Sequence, residues 1–385
     1  MAFSHEGPPP ASAAWREGDH PGRRRFVDLG PLSLELGESL PAVRVAYETF
    51  GTLDADRTNA VLVLHALTGD SHVGGPAEPG HLTTGWWDGL VGPGKALDTD
   101  RWFVVCPNVL GGCQGTTGPS SIAPGGRAWG SRFPRITIRD QVEVEAALSS
   151  ALGIERWAVV VGGSMGAMRA LEWAVGKPDR VGATVVLAVG AAATADQIGL
   201  CATQLAAIRS DPRWFGGDYY DAPPGEGPHL GMGLARRIAH LSYRSEAELQ
   251  IRFGRDEQPG EDPFFGGRYA VESYLDHHAD KLARRFDANT YAVLTQAMNT
   301  HDIGRGRGGT VTTLERVQTP MVVGGVNSDR LYPLRLQHEI AKSVPTCDGV
   351  REIRSPYGHD SFLIEIDAVS AIVQEALDRS LAAVC

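Results

Sequence analysis

Short apolar runs alternate with amphipathic stretches along most of the chain. The runs AVLVL from residue 60, WAVVVGG from 157 and ATVVLAVG from 183 contain no charged position, which is typical of strands buried on both faces of a parallel sheet. The pattern predicts strands over residues 43–49, 60–65, 102–109, 157–162, 183–189, 321–326 and, more briefly, 351–354. Helical periodicity over 138–151 and 165–175 falls between strands. We therefore predict an α/β fold with a mostly parallel central sheet flanked by helices.

The strand pattern stops between residues 192 and 310. Helical periodicity replaces it over 194–208, 233–243 and 246–253 and, with breaks, over 269–298. Because strand character returns at 321, we expect an α/β core made of residues 25–191 and 311–385, interrupted by a helical insertion at 192–310. Residues 1–24 are rich in Pro and Gly and show no periodicity, so we expect a flexible tail there.

Composition and charge narrow the possible functions. The chain has 385 residues, 42% of them hydrophobic, and a formal net charge of −10. That length supports a sizeable core, and the negative charge argues against nonspecific nucleic-acid binding without excluding a local basic patch for an anionic substrate. The five cysteines are irregularly spaced and form no CxxC pair, which disfavours a disulfide framework or a cysteine zinc site.

Signals for secretion or membrane insertion are missing from the sequence. The N-terminal segment has no apolar h-region, and no stretch reaches about 18 uninterrupted apolar residues. We therefore expect a cytoplasmic protein with neither a membrane nor a nucleic-acid partner. The run Arg23, Arg24 and Arg25 closes the Pro/Gly-rich tail, and we expect it to be solvated rather than to bind a polyanion.

The strongest local signal is a serine between a predicted strand and a predicted helix. Gly162, Ser164 and Gly166 fit the G-x-S-x-G pattern of a nucleophile elbow in the context that the pattern requires. Such a sharp turn crowds the backbone, which glycines tolerate, and exposes the hydroxyl at a helix N-terminus that favours negative charge. A structural or phosphate-binding turn is the rival hypothesis, but the Lys-Ser/Thr of a phosphate loop is absent.

A serine nucleophile needs a base, and the base needs a group that orients it. Asp329 follows the predicted strand 321–326, and His359 lies in the loop after the strand candidate 351–354. In the order serine, acid, histidine, these residues predict a catalytic triad in which Ser164 attacks, His359 moves the proton and Asp329 orients the imidazole. Because the chain has 12 histidines, a plain surface role for His359 is the alternative.

Two backbone N–H groups are expected to form an oxyanion hole. One belongs to Met165, directly after the serine, and the other to Leu67, in the loop that follows the predicted strand 60–65. His65 begins this loop. It is a candidate catalytic residue, but we favour a structural role in which its hydrogen bonds shape the turn.

Several segments together resemble the homoserine O-acyltransferase family of the α/β-hydrolase superfamily. NVLGGCQGTTGP from Asn108, SYL from Ser273 and RFDANTY from Arg285 are more specific than the elbow, which the whole superfamily shares. Other matching segments begin at residues 46, 65, 86 and 134, so the resemblance covers nearly the whole chain. Ala167 departs from the glycine of many relatives, but it lies past the elbow. The resemblance implies an α/β-hydrolase fold with the helical insertion as a lid.

The resemblance also implies an acyltransferase of methionine biosynthesis with a ping-pong mechanism. Acetyl-CoA, a co-substrate rather than a bound cofactor, would acylate Ser164. The side-chain hydroxyl of L-homoserine would then take the acetyl group, giving O-acetyl-L-homoserine and CoA. No metal and no permanently bound cofactor are expected. The lid would form a tunnel to the serine and supply a homodimer contact.

Substrate ligands follow from the same resemblance. Arg236 matches the arginine that pairs with the carboxylate of the amino acid, although the neighbouring Arg237 leaves this assignment ambiguous by one position. Asp360 matches the acid that receives the ammonium group. Tyr243 lies about two helical turns after Arg236 on the same face, where it is either a further ligand or an ordinary packing residue.

Several alternatives stay open at this point. Within the family, the donor can be succinyl-CoA or the acceptor L-serine; outside it, the chain can be a plain serine esterase or a noncatalytic binding protein on the same fold. Two smaller features have a functional and a structural interpretation. We expect Cys113 to lie in a tight turn rather than act as a reactive thiol. His277 and His278 diverge by about 100° on a helix, so we expect a solvated pair rather than metal ligands.

Overall fold

A sheet of eight strands forms the centre of the computed structural model, which describes residues 7–382. The strands are β1 (Arg25–Ser33), β2 (Ser39–Phe50), β3 (Ala60–Leu64), β4 (Phe103–Pro107), β5 (Trp157–Gly163), β6 (Val181–Leu187), β7 (Met321–Val326) and β8 (Val350–Ile353). Their order is β1-β2-β4-β3-β5-β6-β7-β8. β2 runs antiparallel to both of its neighbours, and the other neighbouring pairs are parallel. The mostly parallel sheet confirms the predicted architecture.

Helices follow most of the strands. They are α1 (Ile138–Ala151), α2 (Met165–Gly176), α3 (Ala195–Arg209), α4 (His229–Tyr243), α5 (Glu246–Phe253), α6 (Ala270–Ala283), α7 (Ala288–Asn299), α8 (Thr310–Leu314), α9 (Arg335–Ser343), α10 (Ser361–Ile364) and α11 (Ile366–Ala382). Short 3-10 turns occur between some of them.

Two apolar layers cover the two faces of the sheet. Along β3, Leu62 and Leu64 pack into one layer with residues of α1 and α2, whereas Val61 and Val63 pack into the other with residues of α11. Successive side chains of a strand point to opposite faces, so β3 is buried on both sides. This double burial is the physical reason for the uninterrupted apolar runs of the sequence.

β1 is a strand that the sequence pattern does not predict. Its residues RFVDLGPLS are exposed or half-buried, and the pairing with β2 shifts register on either side of Gly30. An edge strand that contains glycine and proline has neither the clean alternation nor the apolar run of a central strand. β2 is also longer than its predicted core 43–49, because it continues to pair with β1 beyond its buried centre.

The helices α3 to α8 lie between β6 and β7, where the sequence pattern predicts helical structure. The side chain of Thr194 accepts the backbone N–H of Gln197, and the Gln197 side chain accepts the N–H of Thr194, so a capping box fixes the start of α3. At the base of this region, Ala193 N–H donates to His301 O at 2.9 Å and Ile303 N–H donates to Ala191 O at 3.1 Å. The chain therefore leaves and re-enters the α/β core at one place.

The N-terminal segment differs from the flexible tail expected over residues 1–24. Residues 1–6 lie outside the described part, but 7–24 lie against both the core and the helical region. Ser12 Oγ donates to Asp287 Oδ1 at 2.7 Å, and Trp15 N–H donates to Cys113 O at 2.9 Å. The middle arginine of the run expected to be solvated, Arg24, is only 6% exposed and donates to Gln114 Oε1 at 2.8 Å. Satisfied polar groups and small side chains, rather than periodicity, hold this segment in place.

Candidate active site

The serine of the elbow sits between β5 and α2 in a strained backbone conformation. Ser164 has φ 55° and ψ −123°, a region that non-glycine residues rarely adopt outside functional turns. A side chain at Gly162 would collide with the backbone of Gly166, and one at Gly166 would collide with the carbonyl of Leu64. The two glycines therefore let the strand and the helix approach closely enough to present the serine at the turn.

The three predicted triad residues form one hydrogen-bonded chain. The Ser164 hydroxyl lies 2.9 Å from His359 Nε2, and His359 Nδ1 lies 2.6 Å from Asp329 Oδ2. The other carboxylate oxygen of Asp329 accepts the backbone N–H groups of Leu331 and Tyr332, each at 2.8 Å. These two bonds orient the carboxylate, which in turn selects the imidazole tautomer with Nδ1 protonated and Nε2 free to accept the serine proton.

The surroundings of His359 raise the pKa of its imidazole. Burial by itself lowers the pKa of this imidazole, but the charge of Asp329, its hydrogen bond and the charge of Asp360 outweigh burial and leave the pKa above its ordinary value. A raised pKa matches a base that must hold a proton transiently while negative charge develops nearby.

The two predicted oxyanion donors belong to different segments of the chain. Met165 is the first residue of α2, and the first N–H groups of a helix have no partner within that helix. Leu67 is buried at 7% exposure in the loop after β3 and lines the same cavity as Ser164. The two backbone groups thus belong to separate elements, and their role as an oxyanion hole stays a prediction.

His65 has the hydrogen bonds of a structural residue. Val109 N–H donates to its Nε2 at 3.1 Å, and its Nδ1 donates to the Ala66 carbonyl at 2.7 Å. Burial, together with the charge of Arg169, lowers the pKa of His65 to about 3, so the ring is neutral. It ties the loop that carries Leu67 to the segment after β4, in agreement with the structural role expected from the sequence.

A cavity of about 420 Å³ opens in front of the serine. The α/β core contributes Leu67, Ser164 and His359 to its wall, and the helical region contributes Arg236 and Tyr243 from α4. All of the residues predicted as substrate ligands, including Asp360, therefore line the same cavity as Ser164 and His359.

The structure distinguishes the two adjacent arginines of α4. Arg236 lines the cavity, and its Nε and Nη1 are buried without a hydrogen-bond partner among the described residues. Its guanidinium lies 5.4 Å from the centre of the Tyr243 ring. Arg237 points away from the cavity and forms an ion pair with Asp276 on α6. Of the two adjacent arginines, only Arg236 therefore lines the cavity, which favours it as the carboxylate ligand.

Asp360 has a partner that the sequence did not indicate. Arg244 Nε lies 3.4 Å from Asp360 Oδ2, and both side chains line the cavity. Burial raises the pKa of Asp360, while the charges of Arg244 and Arg236 act against that rise. Tyr243 completes this side of the site, with its ring centre 5.9 Å from that of His359.

Four further residues of the cavity wall escaped the sequence predictions. Arg244, Lys281 and Arg285 line the cavity without belonging to any recognisable charge pattern. His278, expected to be solvated together with His277, instead stacks on buried His240 with ring centres 3.9 Å apart and lines the cavity. Which of two adjacent helical residues faces the cavity depends on the rotation of the helix about its axis. The sequence pattern does not determine that rotation to within one residue.

Cys113 has the properties of a structural residue. It is buried, and burial raises the pKa of its thiol far above the ordinary value. A reactive cysteine needs a lowered pKa and access to solvent, and Cys113 has neither. The tight-turn hypothesis is supported by Gly111, which precedes it with φ 83°.

One group of buried side chains has the residue types of a metal site. Glu48, His72 and His81 are buried with ligand atoms within 4.8 Å of one another. However, the two imidazole rings are stacked with centres 3.9 Å apart and an angle of 12° between their planes. Because ring lone pairs lie in the ring planes, nearly parallel stacked rings do not converge on one tetrahedral ion. The bond of His72 Nδ1 to Glu48 Oε2 at 3.0 Å instead forms a buried pair.

No helix between residues 7 and 382 has both the length and the apolar character that a membrane crossing requires. Residues 59–365 match a family model described as alpha/beta hydrolase fold. A structure of esterase E22 superposes with a TM-score of 0.83 at 24% identity, covering 92% of this chain and 99% of that one, and illustrates the shared fold.

More specific relatives narrow the family. The chain is 64% identical over 378 residues to a homoserine O-acetyltransferase of Thermobifida fusca (strain YX), an alignment that covers 97% of this chain and 100% of that protein. A crystal structure of homoserine O-acetyltransferase from Bacillus anthracis has a TM-score of 0.84 at 28% identity, covering 92% and 97% of the two chains. The chain therefore belongs to the homoserine O-acetyltransferase family, within the α/β-hydrolase fold.

Proposed function

We propose that the chain transfers the acetyl group of acetyl-CoA to the side-chain hydroxyl of L-homoserine, through an acetylated Ser164. The observation that carries this proposal is a complete serine–histidine–aspartate chain facing a cavity in which Arg236 has two buried, unpartnered nitrogen atoms. The serine–histidine–aspartate chain can carry out acyl transfer, and the unpartnered guanidinium of Arg236 can bind a carboxylate. A plain esterase has no need of such a cation.

In the first half-reaction, the Ser164 oxygen attacks the thioester carbonyl of acetyl-CoA. His359 Nε2 accepts the serine proton as the new C–O bond forms, and the N–H groups of Met165 and Leu67 stabilise the oxyanion. Collapse of the tetrahedral intermediate breaks the C–S bond. The proton passes from His359 to the sulfur, so CoA leaves as a thiol and an acetyl ester remains on the serine.

In the second half-reaction, the hydroxyl of homoserine attacks this ester. His359 accepts the hydroxyl proton, and the same two N–H groups stabilise the second oxyanion. The bond between the acetyl carbon and the Ser164 oxygen then breaks, and the proton returns to that oxygen. O-acetyl-L-homoserine leaves, and the enzyme is regenerated. Acetyl-CoA is thus a co-substrate, and no permanently bound cofactor is needed.

Three side chains would position homoserine for this attack. Arg236 would bind the α-carboxylate through its guanidinium group, whose Nε and Nη1 have no hydrogen-bond partner among the described residues. Asp360 would receive the ammonium group, which would share or replace its present contact with Arg244. Tyr243 lies near both Arg236 and His359. Its ring would form the cavity wall between the side chains that bind the carboxylate and the ammonium group. A fixed acceptor favours transfer over hydrolysis because the hydroxyl is held where water would otherwise attack.

The helical region over residues 192–310 would act as a lid over the α/β core of 25–191 and 311–385. Arg236, Tyr243 and Lys281 line the cavity from this region, so the lid would both narrow access to the acyl-serine and provide substrate ligands. Limiting water around the ester is the central need of an acyltransferase that works in water.

We further propose a homodimer through this lid. Leu230, Leu234 and Leu241 on α4 are 77%, 49% and 39% exposed and follow a helical spacing that places them on one face. Ile251 on α5 is 82% exposed. A second copy would cover this apolar stripe. The implied setting is methionine biosynthesis in the cytoplasm, with which the four free cysteines among the described residues are consistent.

A thiol-release assay tests the proposed reaction. Acetyl-CoA and succinyl-CoA are each combined with L-homoserine, L-serine or water alone. We expect rapid CoA release only with acetyl-CoA and homoserine together. CoA release from succinyl-CoA at an equal rate would show that the enzyme also uses the succinyl donor. Release with L-serine would show that serine is an acceptor. Rapid release with water alone would indicate an esterase. A separate measurement tests the dimer. Light scattering of the purified protein at several concentrations gives the mass of the species in solution, and we expect the mass of two chains.

A further inference from the structure

The cations around α6 fall into two groups that differ in their partners. Those facing away from the cavity are paired: Arg237 with Asp276, and Arg284 with Asp280 at 2.9 Å. Arg268 likewise lies 2.9 Å from Asp276. Such surface pairs are the ordinary way in which a helical region balances its charge.

Three of the four cations facing into the cavity lack such partners; the fourth, Arg244, lies 3.4 Å from Asp360. Lys281 and Arg285 line the cavity, as does Arg236, and none of the three forms an ion pair with a carboxylate among residues 7–382. They are also close enough to repel one another: burial and the charges of Arg285 and Arg236 lower the pKa of Lys281. Keeping like charges together costs free energy unless an anion binds between them.

The charge of the cavity exceeds what homoserine can balance. Four cationic side chains line it, namely Arg236, Arg244, Lys281 and Arg285, against the two carboxylates Asp70 and Asp360. Homoserine is a zwitterion and adds one charge of each sign, so it leaves the positive excess unchanged. The other substrate of the proposed reaction carries phosphate groups, whose negative charge does offset it.

Arg285 and Lys281, which form no ion pair, follow one another from the oxyanion loop towards solvent. Arg285 is half-buried, and its Nη1 donates to the Thr68 carbonyl at 2.9 Å, next to Leu67 in the oxyanion loop. Lys281 lies four residues earlier, near the end of α6, and is exposed. A chain that starts with its acyl group at the oxyanion loop and passes Arg285 therefore reaches Lys281 where the cavity opens to solvent.

We infer that Lys281, supported by Arg285, binds the phosphate-bearing part of the acyl-CoA donor. This assignment rests on the proposed function. Lys281 suits the outer position because a lysine ammonium is a mobile point charge that can follow a phosphate. Arg285 supports it by adding positive charge along the path, while its bond to Thr68 holds the loop in place. Arg236 is left to the carboxylate of the acceptor.

The test compares two donors that share the acetylated pantetheine arm: acetyl-CoA, which also carries the phosphate groups and the adenosine, and S-acetyl-pantetheine, which carries neither. In Lys281→Ala we expect KM for acetyl-CoA to rise about tenfold, with KM for S-acetyl-pantetheine and for homoserine within about twofold of the wild type. Lys281→Arg should keep most of the preference for acetyl-CoA. Lys342→Ala removes an exposed lysine of α9 outside the cavity and serves as the matched control.

Two results would overturn the assignment. One is an equal loss with both donors in Lys281→Ala, which would indicate a structural effect. The other is a rise in KM for homoserine alone, which would move Lys281 to the acceptor. If the wild type releases no CoA at all, the proposed function fails by itself. Calorimetric binding of CoA then still tests the subsite, because Lys281→Ala must weaken it about tenfold relative to Lys342→Ala, and equal binding rejects it.

Discussion

The two walls of the active-site cavity differ in how completely their polar groups are partnered. On the wall formed by the α/β core, Ser164, His359 and Asp329 form an unbroken chain, and Asp329 is further held by two backbone N–H groups. On the wall formed by the helical region, Arg236 and His240 keep buried nitrogen atoms without partners. Buried polar groups are normally satisfied, so this contrast separates groups that are ready for chemistry from groups that await a ligand.

The contrast also explains why the two walls are built from different structure. The core wall depends on a strained turn between β5 and α2, which the surrounding sheet holds in place. The helical wall depends on side chains that extend from α4 and α6. Changes to the core wall should therefore reduce turnover, whereas changes to the helical wall should weaken the binding of one substrate at a time.

The largest effect is expected from Asp329→Asn. The amide cannot hold the His359 tautomer that accepts the serine proton, so kcat should fall by about 10⁴-fold. Steady-state kinetics with both substrates saturating measures this loss. Asp348→Asn, which alters an exposed aspartate far from the triad, is the control and should keep wild-type kcat. A loss below about tenfold in Asp329→Asn would remove this residue from the relay.

A smaller effect on a different parameter is expected from Arg236→Ala. Losing a charged hydrogen-bonding group should cost about 1.5–3 kcal/mol of acceptor binding, which raises KM for homoserine about 10- to 150-fold. KM for acetyl-CoA should stay within about twofold of the wild type. The neighbouring Arg237→Ala is the matched control, because Arg237 is paired with Asp276 outside the cavity. Equal effects of the two substitutions would break the distinction between inward and outward arginines.

A stability measurement probes the crowding of the core wall. In Gly166→Ala, the added methyl group collides with the Leu64 carbonyl, so the free energy of unfolding should fall by about 1–3 kcal/mol or more. Gly199→Ala on α3 places its methyl in open space and should be neutral or slightly stabilising, since alanine favours helix. Chemical unfolding of both variants gives the comparison, and equal stabilities would contradict the close approach at the elbow.

The smallest effect is a shift of the pH profile. His359 must be neutral to accept a proton, so kcat/KM should rise with pH through its pKa. Burial lowers that pKa, but Asp329 outweighs burial and raises it, which places the midpoint above the ordinary value of about 6.5. In Asp329→Asn, the residual activity should have its midpoint at lower pH. An unchanged midpoint would show that Asp329 does not set the charge of the base.

The sequence predicts the core wall better than the helical wall, for a physical reason. The elbow must use glycines at two fixed positions, and Ser164 and Asp329 follow buried strands whose apolar runs are easy to recognise. These constraints are local. Whether Arg236 or Arg237 faces the cavity depends instead on the exact rotation of α4 against its neighbours, and one residue turns a helix by about 100°.

Packing without periodicity is equally hard to predict. β1 pairs at the sheet edge through its backbone, with Gly30 interrupting the register. Residues 7–24 lie against the rest of the molecule through single hydrogen bonds such as that of Ser12 to Asp287 in the helical region. Lys281 becomes a candidate phosphate ligand only because no carboxylate in the described part of the chain pairs with it. None of these features leaves a repeated pattern of apolar positions.

The central claim is that the acetyl group passes through Ser164. The most direct measurement mixes the enzyme with acetyl-CoA in the absence of homoserine and determines the mass of the intact protein and of its peptides at short times. We expect one acetyl group per chain, located on Ser164, that disappears with the formation of O-acetyl-L-homoserine when homoserine is added. We also expect no such group in Ser164→Ala. Undiminished turnover in Ser164→Ala, or acetylation confined to another residue, would contradict the claim.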